Sequence, residues 1–388
     1  MLTGPYFKSF VGFLSLSKYS FALPYRWNSE TRQLYMVQSK KFQFFFKLGT
    51  FVSIVYVVVL GYQLLLNSSS LSPATSMIMV LWLVMTISVL VTKIVVVKLG
   101  YQLQEFFNLM IRFEDKYFGK RNGSQQGQAD LSVLIVLRLT CMSVAAFPLA
   151  TTGYIGMKPC SPPFLTSFIL NCGKEMTRGP SFHVARFVLA VIEGTYWFHV
   201  VGMAAFMICF LQYLSLKCFT KYLVDLVKMN ILEKGQNYQY YRQSIVFRQI
   251  QILHNAINTI IRTEFLPMSQ FAWMTMTILG LYATIKMHDV IGLPLYLLFP
   301  TFAIDGVVYF YVVVGAASKT YAQSYHLIHN VWRGRNPGGQ SKWFVTFRRS
   351  CQVMKTYIGN VAFLDSMTPL VLIHFCLAQT ASLILLQT

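Results

Sequence analysis

Seven apolar stretches recur along this chain, and they leave few folds open to it. A helix crossing the hydrocarbon core of a bilayer needs about 20 mostly apolar residues. A window of about 19 residues finds such stretches near 48–66, 75–97, 131–151, 187–214, 266–286, 293–317 and 362–388. The expected fold is therefore all-α: a polytopic membrane protein with seven transmembrane helices. Charged residues make up only 12% of the chain, against about 25% in soluble domains, which argues against a soluble enzyme. The net charge of +20 would suit nucleic acid only if it were gathered on a soluble face. Here Lys and Arg fall between apolar stretches, so no nucleic-acid partner is expected.

The distribution of basic residues predicts which way the chain faces, because basic loops stay cytoplasmic. Segments 1–47, 98–130, 215–265 and 318–356 hold 26 of the 33 Lys and Arg, while the alternate connections 67–74, 152–185 and 287–292 hold three. With seven spans, all four basic segments lie on one side. The N-terminus is then expected inside and the C-terminus outside, the reverse of a G-protein-coupled receptor. Residues 1–47 read as a cytoplasmic or interfacial segment, since the run FVGFLSLS is too short and interrupted for a span. Lys93, near one end of the second span, is expected to snorkel to the headgroups. Spans three and four carry Arg138, Glu193 and His199, so they are expected to face protein or a water-filled cavity rather than lipid.

Beyond the spans, 215–265 is long, polar and helix-patterned, with Leu223, Leu226, Val227, Ile250, Ile252 and Leu253 at suitable spacing. Similar patterning predicts a helical extension over 318–332, a Gly/Pro loop, and an amphipathic helix from Trp343 to about Tyr357. These pieces either pack into an intracellular anchor over 318–361 or lie as solvated surface helices. The outer segment holds Cys160 and Cys172, which are expected to form a disulfide on the oxidising side. Asn67 begins an outer glycosylation sequon and Asn122 an inner one, so glycan on Asn122 would overturn the topology. No Cys/His cluster suggests a metal, and no cofactor motif is present.

The final stretch, TPLVLIHFCLAQTASLILLQT, is free of charge. On a helix, Ile373, Cys376, Thr380, Leu383, Ile384 and Gln387 share one face. That face is either an ordinary helix contact with Thr380 and Gln387 bonding neighbours, or the wall of a pore with a hydrophobic constriction and a polar ring. The chain ends Thr380-Ala381, SLILL, Gln387-Thr388. This resembles the end of arthropod gustatory receptors, whose last helix carries Thr-Tyr, five hydrophobic residues and Gln-Phe. The Thr and Gln are kept at the family spacing and both aromatics are lost. Length, span number, inverted orientation, a short or absent tail and a basic segment before the last helix are also similar.

The resemblance implies a ligand-gated cation channel of the gustatory and odorant receptor superfamily, a homotetramer or heterotetramer with related receptors in the plasma membrane. Cys376, Thr380, Leu383, Ile384, Leu386, Gln387 and Thr388 would line the central pore, with Thr388 in place of the family's aromatic. The intracellular helices would anchor the subunits. Its partners would be a small-molecule tastant (a sugar or bitter compound), permeant cations and membrane lipids. A ligand pocket is expected in the outer halves of spans two to six, drawn from Phe147, Glu193, Tyr196, Trp197, His199, Met276, Tyr282, Tyr296, Phe299, Phe302 and Asp305. Glu193 beside Trp197 suits a hydroxylated or cationic ligand; it would equally suit an ion pair with Arg186 or Arg138 that fixes helix register. The alternatives are an odorant receptor subunit, or a secondary transporter using Glu193 and Asp305. The chain lacks the paired repeats a transporter usually shows, and it has no GxSxG, P-loop or HExxH motif of an enzyme.

Overall fold

The computed structural model describes residues 5–66, 72–118, 131–157, 164–169, 180–228, 236–291, 295–333 and 342–386, most of them helical. In chain order these are α1 (Pro5–Ser20), a β1–β2 hairpin (Tyr25–Asn28, Gln33–Met36), α2 (Lys40–Leu66), α3 (Pro73–Tyr117), α4 (Leu131–Met157), α5 (Thr166–Ile169), α6 (Pro180–Ala205), α7 (Ser215–Lys228), α8 (Gln236–Ile261), α9 (Phe265–Lys286), α10 (Leu298–Tyr309), α11 (Gly315–Tyr325), α12 (Lys342–Ser350), a β3–β4 hairpin (Tyr357–Ile358, Ala362–Phe363) and α13 (Thr368–Leu385). A π-helical segment, Phe206–Leu214, joins α6 to α7; two more, Phe310–Val314 and His326–Val331, follow α10 and α11.

Six of these rods are long and apolar enough to cross a membrane: Lys40–Leu66, Pro73–Tyr117, Val133–Met157, His183–Lys228, Leu298–Val331 and Thr368–Leu385. The protein is a multi-pass membrane protein on this architecture. The fifth expected span coincides with α9, which is not among the six. Gln270, Thr275, Thr277 and Thr284 dilute its apolar character, but Gln270 and Thr277 are buried, so that polarity points into protein. α9 packs against α3, α10 and α13.

Lipid tails are as apolar as Leu, so helices in a bilayer associate by close packing of small residues. A Cβ on Gly280 would come within 2.7 Å of the Phe299 carbonyl oxygen, and one on Gly306 would collide with Thr277 Oγ1, so α9 and α10 meet at both glycines. α4 and α6 meet in the same way at Gly194, beside Thr152 and Pro148.

The basic segments fold with the bundle. α1 buries Phe10, Phe13 and Leu14, with Phe10 stacked on Phe107 at 5.5 Å and Phe13 on Phe210 at 4.6 Å. The β1–β2 hairpin was not expected from the sequence. It is held by α3: Leu34 N–H donates to Asn108 Oδ1 at 2.8 Å, Met36 N–H to Gln104 Oε1 at 2.9 Å, and Tyr25 Oη to the Gly100 backbone carbonyl at 3.0 Å. α3 bends at Leu99, beside that carbonyl.

Two expected boundaries are corrected. The helix starting near Trp343 stops at Ser350 rather than Tyr357. Beyond it the chain runs extended because neighbouring helices take its backbone groups: Gln251 Nε2 donates to Gln352 O at 2.6 Å, Met354 N–H to Ser324 Oγ at 3.0 Å, and Tyr357 N–H to Asn258 Oδ1 at 3.0 Å. The last span begins at Thr368 rather than 362. Residues 357–363 instead turn back through Gly359 at φ 58°. Asp365 Oδ1 then accepts from the N–H groups of Met367 and Thr368 and from Thr368 Oγ1, closing the first turn of α13.

Candidate ligand site

α2, α3 and α6 bring together a polar chain inside the bundle. Lys93 does not snorkel. It is fully buried, and its Nζ donates to the Gly49 carbonyl at 2.9 Å and Ser53 Oγ at 2.6 Å, with the Tyr196 ring centroid 5.9 Å away. Tyr196 Oη donates to Ser53 Oγ at 3.3 Å. The Tyr196 ring stacks on Tyr56 at 4.6 Å and 9°, and Tyr56 Oη donates to Glu193 Oε1. Glu193 is buried and also accepts from the backbone N–H of Leu165 at 3.0 Å and of Thr166 at 3.4 Å. Its described partners are thus one hydroxyl and the start of α5. Neither Arg186 nor Arg138, which is exposed, is among them.

An aromatic layer lies beside this chain. Trp197 is fully buried and meets Tyr56, Trp82 and Phe147 edge to face at 5.9, 5.7 and 6.1 Å. Trp82 meets Phe302 at 6.2 Å. Such contacts add about 0.5–1.5 kcal/mol each beyond area burial, so this part of the bundle is packed protein rather than open space.

The open space lies next to it. A cavity of about 430 Å³ is walled by α3, α4, the α6 end with its π segment, α9 and α10. That volume is within the range of small-molecule sites. Its lining is mainly apolar, with Val89, Val200, Met207 and Trp273 among the wall residues. One polar cluster interrupts it: Gln212 Nε2 donates to Ser269 Oγ at 3.3 Å, Tyr309 Oη donates to Gln212 Oε1 at 3.2 Å, and the Ser269 and Tyr309 hydroxyls are 2.9 Å apart. Trp273 stacks on Tyr309 at 5.3 Å.

The expected ligand residues divide between these places. Phe147, Met276, Phe302 and Asp305 line the cavity. Glu193, Tyr196 and Trp197 belong to the polar chain and aromatic layer, and His199 is buried beside Gly49 and the Phe46 ring. Phe299 and Tyr296 serve the α9–α10 contact, where Tyr296 Oη donates to the Thr284 carbonyl at 3.1 Å. Tyr282 is buried on α9 away from the cavity. Asp305 lines this cavity and Glu193 does not. α9 contributes its first half, 265–276, so the cavity lies toward the end of α9 that follows the basic segment 215–265.

Sequence reasoning missed Ser53, Tyr56, Trp82 and the Gln212–Ser269–Tyr309 cluster. Lys93 carried a signal, since an ionisable residue in an apolar run is a functional candidate by default. The others have none, because each gains its meaning from a helix distant in sequence.

On α13, Cys376 and Thr380 are buried. Cys376 Sγ lies 4.0 Å from the Met274 carbonyl, and Thr380 Oγ1 lies 3.5 Å from that of Ile278. Both residues lie against α9 within the chain. Leu383 and Ile384 are half-buried, while Val371, Phe375, Ala378, Ser382 and Leu386 are exposed. Gln387, Thr388, Cys160, Cys172 and Asn67 lie outside the described residues.

No family model and no curated protein matches the chain. Among solved structures, the insect olfactory receptor OR5 from Machilis hrabei is similar over 97% of this chain and 97% of its own, at a TM-score of 0.60 and 11% sequence identity. At that identity the likeness is one of fold.

Proposed function

We propose that the chain is a subunit of a chemosensory, ligand-gated, non-selective cation channel in the plasma membrane. Four copies, identical or of related receptors, surround a pore lined by α13, and the N-terminus lies in the cytosol. The observation that carries this reading is the end-to-end likeness of fold to an insect olfactory receptor. The Thr380 and Gln387 spacing supports the gustatory rather than the odorant branch, with a sugar or bitter compound as ligand. The cavity between α3, α4, α6, α9 and α10 is the ligand site. Leu383, Ile384 and Leu386 form the hydrophobic constriction and Gln387 and Thr388 the outer mouth, while Cys376 and Thr380 hold α13 to α9. Because α9 also lines the cavity, a ligand there acts on the helix that carries the pore helix.

Current recording from cells expressing this chain alone, challenged with a panel of sugars and bitter compounds, tests the reading. Ligand-evoked current is expected, with relative cation permeability changed by Gln387→Ala. Saturable uptake without unitary conductance, or currents that require G proteins, would contradict it.

A further inference from the structure

The cavity has a side opening and one carboxylate on its rim. Its rim residues on α4 and α10 face outward: Leu139 is 56% exposed and Val308 48% exposed, and Ser143 and Asp305 are exposed as well. Deeper wall residues, Val89, Val200, Met207 and Tyr309, are buried. α4 packs on α6 and α10 on α9, so the opening lies between two rods that each cross the membrane, and it faces the bilayer. Among the described residues, Asp305 has no ion-pair or hydrogen-bond partner. A carboxylate within a membrane span is costly unless paired, and the mainly apolar cavity beside it, whose polar cluster pairs within itself, offers a place for the missing cation.

We infer that the cavity takes lipophilic amines, which enter from the bilayer between α4 and α10 and place the ammonium group against Asp305. The inference rests on the cavity being the ligand site. The apolar body of the ligand lies along Val89, Val200, Met207 and Trp273, and the charge remains at the rim. A ligand of this kind partitions into the membrane first, with its ammonium among the headgroups and its chain in the hydrocarbon. Lateral entry therefore spares it from returning to water.

Binding of octylamine, octanol and octanoate to the full chain in lipid nanodiscs, read by ligand-dependent thermal shift, tests this without any measurement of current. Octylamine is expected to bind at least tenfold more tightly than octanol, and octanoate more weakly than either. Asp305→Asn should abolish the amine preference while leaving octanol binding in place. Asp305→Glu should retain the preference, as should Asp289→Asn, which removes an exposed carboxylate away from the cavity. Ser143→Trp combined with Val308→Trp should block binding of all three. Equal binding of amine and alcohol, a preference that survives Asp305→Asn, or binding unaffected by the paired tryptophans would overturn the inference and leave the cavity as a ligand site. Failure of octanol to bind the native chain would overturn the reading of the cavity itself.

Discussion

Lys93 is the residue whose environment departs furthest from what its type would choose. It is held by two neutral oxygens and a tyrosine face, and removing a charge from water costs several kcal/mol, which neutral partners repay only in part. Its loss would leave no oxygen orphaned, because Ser53 Oγ still donates to the Gly49 carbonyl at 2.9 Å. Lys93→Met is therefore expected to leave stability unchanged or raise it by about 1–4 kcal/mol. Tyr56→Phe should act in the opposite direction, since it takes a donor from buried Glu193 and costs about 1–3 kcal/mol. Thermal unfolding in detergent, followed by tryptophan fluorescence, checks the order of the two variants. If Lys93→Met unfolds at the lower temperature, the lysine is a structural support, and its position inside the bundle needs no functional explanation. The expectation that Lys93 snorkels misjudged its direction, because a long stem near a span end can reach headgroups or interior equally well. The Gly49 carbonyl and Ser53 hydroxyl that α2 presents, distant in sequence, decide between them.

Among the elements, those outside the membrane depend most on contacts that no local pattern announces. The hairpin at 25–36 and the extended strip at 351–356 take their backbone partners from Asn108, Gln104, Gln251 and Ser324, so the periodicity that predicted helix over 351–357 was overridden by tertiary bonds. His254 is part of the same seam. Its Nε2 lies 3.3 Å from Thr356 Oγ1, and burial lowers its pKa from 6.5 to about 4. The neutral ring is favoured in the folded state. Stability from this group is therefore fully present above pH 6.5 and is lost as pH falls toward 4, because the unfolded chain takes up the proton first. The full loss is about 3 kcal/mol. Hydrogen exchange across 351–358, corrected for intrinsic rates, should accelerate between pH 6.5 and 4.5, and His254→Phe should flatten that dependence. Exchange that is the same in both proteins would show that the strip is held independently of His254. The spans themselves were far more legible, since hydrocarbon requires every backbone group to be satisfied within the helix. α9 is the instructive case: Gln270 and Thr277 lower its apolar character and are buried within the bundle.

At the scale of the whole molecule, the all-helical membrane fold was readable from seven apolar stretches, and the structure with its fold likeness to an insect olfactory receptor agrees. The cavity was readable only in part. Phe147, Met276, Phe302 and Asp305 line one cavity, but Glu193 and Trp197, which four-residue spacing made the most attractive pair, are absorbed into packing between helices. Spacing along one helix reveals a shared face and does not tell which neighbour covers it. On α13, Cys376 and Thr380 have neighbours on α9, a contact that spacing along α13 does not announce. What remains open on that helix, from Val371 to Leu386, is what other copies of the chain would meet. The central claim, that copies of α13 enclose a pore, is tested most directly by electron cryomicroscopy of the purified full chain viewed along the membrane normal. The account predicts four subunits with α13 nearest the axis and Leu386 closer to it than Thr380; a monomer, or an assembly whose axis is bordered by other helices, would contradict it.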